Sequence, residues 1–225
     1  MLSIIVIITV TAFVFAADGD ELEYLDQEVT LKEGWNLVSV YTLSNYLFIL
    51  DTELSKYDKD NLEDLQIKAI FFYDFFEKSY IMSYPQNEVD KILIFKERVN
   101  SNFDNYGLHA NSALWVYSDK RQVISFRTTD GPLMVEDVKM KLGWNFLTIT
   151  PDMKGKTINQ IKGNCDIEKL YSYETSVQKW SNNLAYDNFM DEELTDDSIW
   201  SGIVIKLNSD CSFGGDSVNP PQIPN

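Results

Sequence analysis

The sequence predicts a mainly β protein made of two tandem repeats, each a small β-sandwich or partly open barrel of about six strands with short helical insertions. Three observations predict it. The stretch V-T-L-K-E-G-W-N-L-V-S-V at residues 29–40 returns at 138–149 as V-K-M-K-L-G-W-N-F-L-T-I, with Val, Lys, Gly, Trp and Asn in the same order. A recurrence of that kind points to one structural unit used twice. Runs rich in β-branched and aromatic residues recur in both halves between turn-forming residues, the pattern of short strands. Hydrophobic content of 44% and aromatic content of 13% supply enough apolar material for packed cores, so the chain is not disordered. The expected divisions are an N-terminal segment at 1–16, a first repeat at 29–128, a second at 138–213 and a flexible tail at 214–225.

Taken in order, residues 2–17 are apolar apart from Ser3, Thr9 and Thr11, and none is charged. The run is shorter than the ~20 residues a spanning helix needs. Val14 and Ala16 put small residues where a signal peptidase reads, so cleavage after Ala16 is the expectation. The run lacks a basic n-region, which leaves an uncleaved N-terminal anchor as the alternative. Either way the remainder lies outside the cytoplasm. The acidic stretch 18–28 reads as a solvated lead-in or an edge strand.

The first repeat opens with a strand at Val29-Thr30-Leu31, turns at Glu33-Gly34 and returns along 35–41. Gly34 and Gly143 suit a turn that needs positive φ. Trp35 and Trp144 are expected to plug the core of each repeat, and Asn36 and Asn145 to bond the turn backbone. Tyr46, Leu47, Leu50 and Leu54 fall at helical spacing behind Ser44, so 44–60 suggests a short helix. Helical turns follow at 61–65 and 157–161, with Thr157 as the cap of the second. Aromatic hairpins starting at 67–73 and 167–173 then match each other and place Tyr80 against Trp180. Residues 87–100 fit a helix, with a buried strand competing because Ile94 and Phe95 spoil the spacing. His109 is expected in a loop at 105–109. Residues 113–117 read as a strong strand pairing with 122–128, and 198–207 with 211–213 take those roles in the second repeat.

Cys165 and Cys211, an even pair in an apparently exported chain, predict a structural disulfide. It closes a loop of 46 residue steps (211 − 165), worth about 4 kcal/mol in the chain-entropy model. Two thiolates alone make a poor zinc site, and the one histidine, His109, lies in the other repeat.

The combination V-x-[LM]-K-x-G-W-N-[LF], a Y-x-Y hairpin and a strand ending N-S-D-C-S-F resembles the repeats of exported archaeal and bacterial cell-surface proteins, surface-layer-like modules. The resemblance covers about residues 29–213. The first repeat departs from the pattern by lacking both cysteines, and Gly202-Ile203-Val204-Ile205 lacks the expected aromatic pair. What the resemblance implies is a surface location and β architecture rather than an activity.

A formal charge of −16 counts against nucleic acid or anionic lipid as partner. A Ser-His-Asp site would have to use His109, and no G-x-S-x-G elbow, phosphate-cradling Gly loop, H-E-x-x-H or paired CxxC is present. Asp191, Glu193, Asp196 and Asp197 are candidate Ca²⁺ ligands, although the cluster lacks the spacing of a loop site and reads rather as a solvated loop. No cofactor is expected. The leading expectation is a non-enzymatic cell-surface or envelope protein with a structural or adhesion role. Its partner would be a surface protein or glycan, with self-association as a further expectation. The alternative is a carbohydrate-binding module stacking sugars on Tyr80 and Trp180, favoured if both are exposed. A secreted hydrolase ranks third.

Overall fold

Along Ile67–Asp74 the residues Ile70 and Phe72 are buried, while Ala69, Phe71 and Tyr73 on the alternate side are partly covered. A strand with apolar residues on both sides must be packed on both sides, and this requirement lays out the molecule. The structure, a computed structural model, describes residues 24–39, 66–85, 88–129 and 138–214. The expected N-terminal segment, the helix at 44–60, the turn at 61–65 and nearly all of the tail lie outside the described residues.

The first half contains β1 (Tyr24–Leu31), β2 (Gly34–Ser39), β3 (Ile67–Asp74), β4 (Ser79–Tyr84), helices α1 (Val89–Asn100) and α2 (Phe103–Ala110), β5 (Ala113–Ser118) and β6 (Gln122–Thr129). The second contains β7 (Val138–Met140), β8 (Gly143–Thr148), the one-turn helix α3 (Ile158–Ile161), β9 (Ile167–Glu174), β10 (Lys179–Trp180), β11 (Gly202–Leu207) and β12 (Cys211–Phe213). Antiparallel sheets form in the orders β2-β5-β3-β4 and β8-β11-β9-β10, with two-stranded ribbons β1-β6 and β7-β12. The two halves therefore share one strand order. The fold is mainly β and sandwich-like, not a closed barrel.

Several expected pairings are corrected. β1 does not return on β2. The chain turns a corner at Gly34, so that β1 pairs with β6 while β2 pairs with β5. β6 likewise does not pair with β5, because both sides of β5 are occupied by β2 and β3. β11 lies between β8 and β9 for the same reason, which leaves β12 to join β7. Of the expected stretch 87–100, Val89–Asn100 is helix: Phe95 and Val99 bury one face, with Phe95 on Phe72 at 5.0 Å between centroids. The expected loop around His109 is the helix α2, opened by Asn102, whose side chain accepts from the Asn105 N–H. Thr157 caps α3 in a capping box with Gln160, as its sequence suggests.

The sheets meet through their alternate faces, where Leu37 and Ala113 of the first form one buried cluster with Phe146 and Val204 of the second. The contacts at the meeting point come in matched pairs. The Ser39 N–H donates to the Trp200 carbonyl at 3.0 Å, and the Thr148 N–H to the Asn111 carbonyl at 2.8 Å. Isolated bridges join Val38 to Ser201 and Ser112 to Leu147. Gly202 permits this approach, because a Cβ there would stand 2.4 Å from Leu37 Cγ and 2.6 Å from Ala113 Cβ.

Candidate functional site

The corner residues set the edges of the site. Asn36 is buried, accepts from the Lys32 N–H at 2.8 Å and donates to the carbonyls of Lys32 and Gly34. Asn145 repeats the arrangement with Lys141 and Gly143. Gly34 and Gly143 sit at φ of 94° and 96°, the backbone region open to glycine. Both asparagines thus bond the turn as expected. The tryptophans that follow do not plug the cores. Trp35 and Trp144 are only partly buried and lie on the faces where the sheets meet, since their neighbours Asn36 and Asn145 take the inward positions of β2 and β8.

From Trp144 an aromatic floor crosses the whole second sheet. Phe146, Val204 and Tyr171 stand side by side in register on β8, β11 and β9, and Trp180 on β10, in register with Tyr173, lies diagonally beyond Tyr171. The β3–β4 hairpin leans over this floor. Tyr73 and Tyr80 face each other across it at 5.6 Å, and the Tyr73 ring lies 4.8 Å from Phe146. Between floor and hairpin lies a groove of about 530 Å³, whose only charged lining residue among the described residues is Lys78, at the end of the hairpin turn. A concave, mostly aromatic site of that size with a few polar groups is the usual form of a small-ligand pocket.

The matching groove of the first half is filled. Trp115 occupies the position on β5 that Val204 occupies on β11, as their partners Leu37 and Phe146 show. The Trp115 ring packs edge-on against Tyr173 at 4.8 Å and Trp180 at 5.4 Å, and also touches Trp35. At the mouth, Gln178 plants its carboxamide on the corner. Its Oε1 accepts from the Trp35 N–H at 2.7 Å, and its Nε2 donates to the Trp35 carbonyl at 3.0 Å. Lys78, the counterpart of Gln178, adopts the same φ of 53° yet only approaches Gly143. One groove is therefore closed by an indole and a carboxamide, and the other stands open.

Tyr80 and Trp180, expected as matched aromatics, both line the open groove and are 45% and 44% exposed. Burial pushes the Tyr80 hydroxyl above its ordinary pKa, against a lowering hydrogen bond from the Trp115 indole. The Tyr73 hydroxyl is also raised, first by burial and then by Tyr80 and Asp74. Both hydroxyls therefore stay protonated at neutral pH and serve as neutral hydrogen-bonding groups. Tyr73, Lys78, Phe146, Tyr171 and Val204 join the site without having been marked as ligand-binding in the sequence. The available signal was the second aromatic face of the hairpin strands, Phe71 with Tyr73 and Tyr171 with Tyr173.

The remaining candidates lie elsewhere. Cys165 and Cys211 form the disulfide, pinning the start of β12 to the segment ahead of β9 and fitting an oxidising environment. The Asp191 carboxylate accepts from the Asn159 amide and that of Asp196 pairs with Lys154, while Glu193 joins Thr157 through a backbone bridge. Among the described residues no three His, Cys, Asp or Glu side chains gather as a metal site. His109 is 4% exposed, its ring edge-on to Phe95 at 5.2 Å and to Phe72 at 6.5 Å. No helix among the described residues is long and apolar enough to cross a membrane. No protein-family model matches the chain, and neither a curated protein nor a solved structure aligns with it significantly.

Proposed function

We propose that the protein is an exported, non-enzymatic cell-surface module that attaches to carbohydrate through the groove between its sheets. Its two halves are read as copies of one unit. The single observation that carries this is the groove itself: Val204 leaves open what Trp115 closes in the other half, exposing Tyr80 and Trp180 at the edges of an aromatic floor. Sugar rings present C–H faces that stack on such aromatics, while the Tyr73 and Tyr80 hydroxyls supply polar contacts at the wall. The disulfide and the N-terminal apolar segment support an extracellular address.

The test is a glycan-array measurement on the full chain beside Val204→Trp, Tyr80→Ala and Trp180→Ala. Val204→Trp is expected to fill the groove and abolish binding, at a cost of about 1–3 kcal/mol in stability because Val204 is buried beside Leu37, Ala113 and Phe146. Tyr80→Ala and Trp180→Ala are expected to weaken binding about tenfold each, as loss of a stacking platform does. Absence of glycan binding by the folded wild type rejects the reading, as does full binding by a folded Val204→Trp variant.

A further inference from the structure

Resting on the carbohydrate reading, we propose that the groove selects a sugar acid, and that the ligand carboxylate is held jointly by Lys78 Nζ and the Trp144 N–H. The argument begins at the edge of the second sheet. β8 is an edge strand, and its Thr148 N–H leaves the ladder to reach the Asn111 carbonyl. In an antiparallel pair alternate residues point the same way, so the N–H groups of Trp144 and Phe146 also face outward. Trp35 in the first half has this same outward N–H, and there the chain shows what the position accepts. The carboxamide oxygen of Gln178 takes the bond at 2.7 Å, with Gly34 cleared to make room: a Cβ on Gly34 would stand 2.5 Å from that oxygen.

In the second half no side chain among the described residues caps the Trp144 N–H. The counterpart of Gln178 is Lys78, whose Nζ lies 4.0 Å from where a Gly143 Cβ would stand and is a donor, not an acceptor. The Trp144 N–H and the Lys78 ammonium are both donors at the Gly143 corner and call for an anionic acceptor from outside. Among the described residues no carboxylate lines the groove and none pairs with Lys78. A chain of formal charge −16 repels anions at long range. A single ammonium at the rim of an aromatic groove is therefore a local exception, one that a carboxylate on a stacked sugar ring satisfies by a charge-assisted hydrogen bond. The aromatic floor takes the pyranose face, and the mouth takes the carboxylate at its rim.

The experiment uses the full chain and three matched pairs of oligosaccharides, ending in glucose or glucuronate, galactose or galacturonate, and mannose or mannuronate, with affinities measured at low and at high salt. One hexuronate is expected to bind at least about tenfold tighter than its neutral partner, the preference shrinking with salt. Lys78→Met is expected to abolish the preference, so that this hexuronate and its neutral partner bind with the same affinity. Lys78→Gln, which places a carboxamide where Gln178 sits in the other half, is expected to lose both by closing the corner on itself. Equal binding of acid and neutral forms overturns the sugar-acid assignment and leaves the carbohydrate reading standing. A preference that survives in folded Lys78→Met overturns the role of Lys78. Binding of none of the six removes the carbohydrate reading and this inference together.

Discussion

Gln178 closes on Trp35 from the opposite half of the chain, accepting from its N–H and donating to its carbonyl with one carboxamide. A third bond to the Glu33 carbonyl, at 3.4 Å, widens the grip to the whole corner. The contact replaces the missing neighbour of an edge strand with a side chain, and it ties the tip of the β9–β10 hairpin to the first half. Gln178→Ala should lower stability by about 1 kcal/mol, since the bonds are exposed and water replaces part of them. Gly34→Ala should cost about 2 kcal/mol or more, because it meets the carboxamide and also strains a φ of 94°. Urea denaturation of the two variants, alone and combined, checks both values.

Asn36 makes the corner from inside, and it is 1% exposed. Asn36→Ala should destabilise by about 2 kcal/mol by orphaning the Lys32 and Gly34 backbone groups. Asn36→Asp keeps an acceptor for the Lys32 N–H but sets a buried carboxylate oxygen against the Lys32 and Gly34 carbonyls, so at neutral pH it should destabilise at least as much as Ala in the same denaturation series.

Where the sheets touch, Gly202→Ala should cost about 1–3 kcal/mol by overpacking, as its Cβ meets Leu37 and Ala113. Pairing it with Leu37→Ala should recover part of the loss, so that the double variant is more stable than the sum of the singles. A double-mutant cycle in melting experiments measures that coupling.

His109 gives stability a pH dependence of known sign. Burial holds its pKa down to about 4 in the folded state, against an ordinary value of 6.5. The unfolded chain therefore binds a proton first as pH falls, and stability is lost between about pH 6.5 and 4, by about 3 kcal/mol. Denaturation at pH 7.5, 6 and 5 should show the loss in wild type. Over the same window His109→Leu should be nearly flat, and an equal slope in both would sink the assignment.

The strand order could not be read from residues alone. A short link such as Asp119-Lys120-Arg121 favours a hairpin locally, yet β5 already has β2 and β3 as neighbours, and sheet membership is decided by contacts distant in sequence. The G-W-N corner was legible because its bonds are local: Asn36 reaches back only four residues. The part played by Trp144 was not. β2 and β8 are apolar on both faces, and only the arrival of the other half decides which face is core and which is groove. Helix α1 was ambiguous because Ile94 and Phe95 interrupt the helical spacing; Ile94 proves exposed, whereas Phe95 joins Val99 on the buried face. Tyr80 and Trp180 could be paired from the sequence, but their exposure depends on Val204, whose small size matters only beside Trp115 across the sandwich.

The bond between Cys165 and Cys211 encloses β9, β10, the acidic stretch at 187–197 and β11 in one covalent ring. That ring holds Tyr171, Trp180 and Val204, three pieces of the groove floor from three strands. A protease that nicks the acidic stretch, the part of the ring with the least regular structure, leaves both new ends fastened to the same body. In an oxidising environment, which keeps the disulfide closed, the floor outlasts the intact backbone until a reductant arrives.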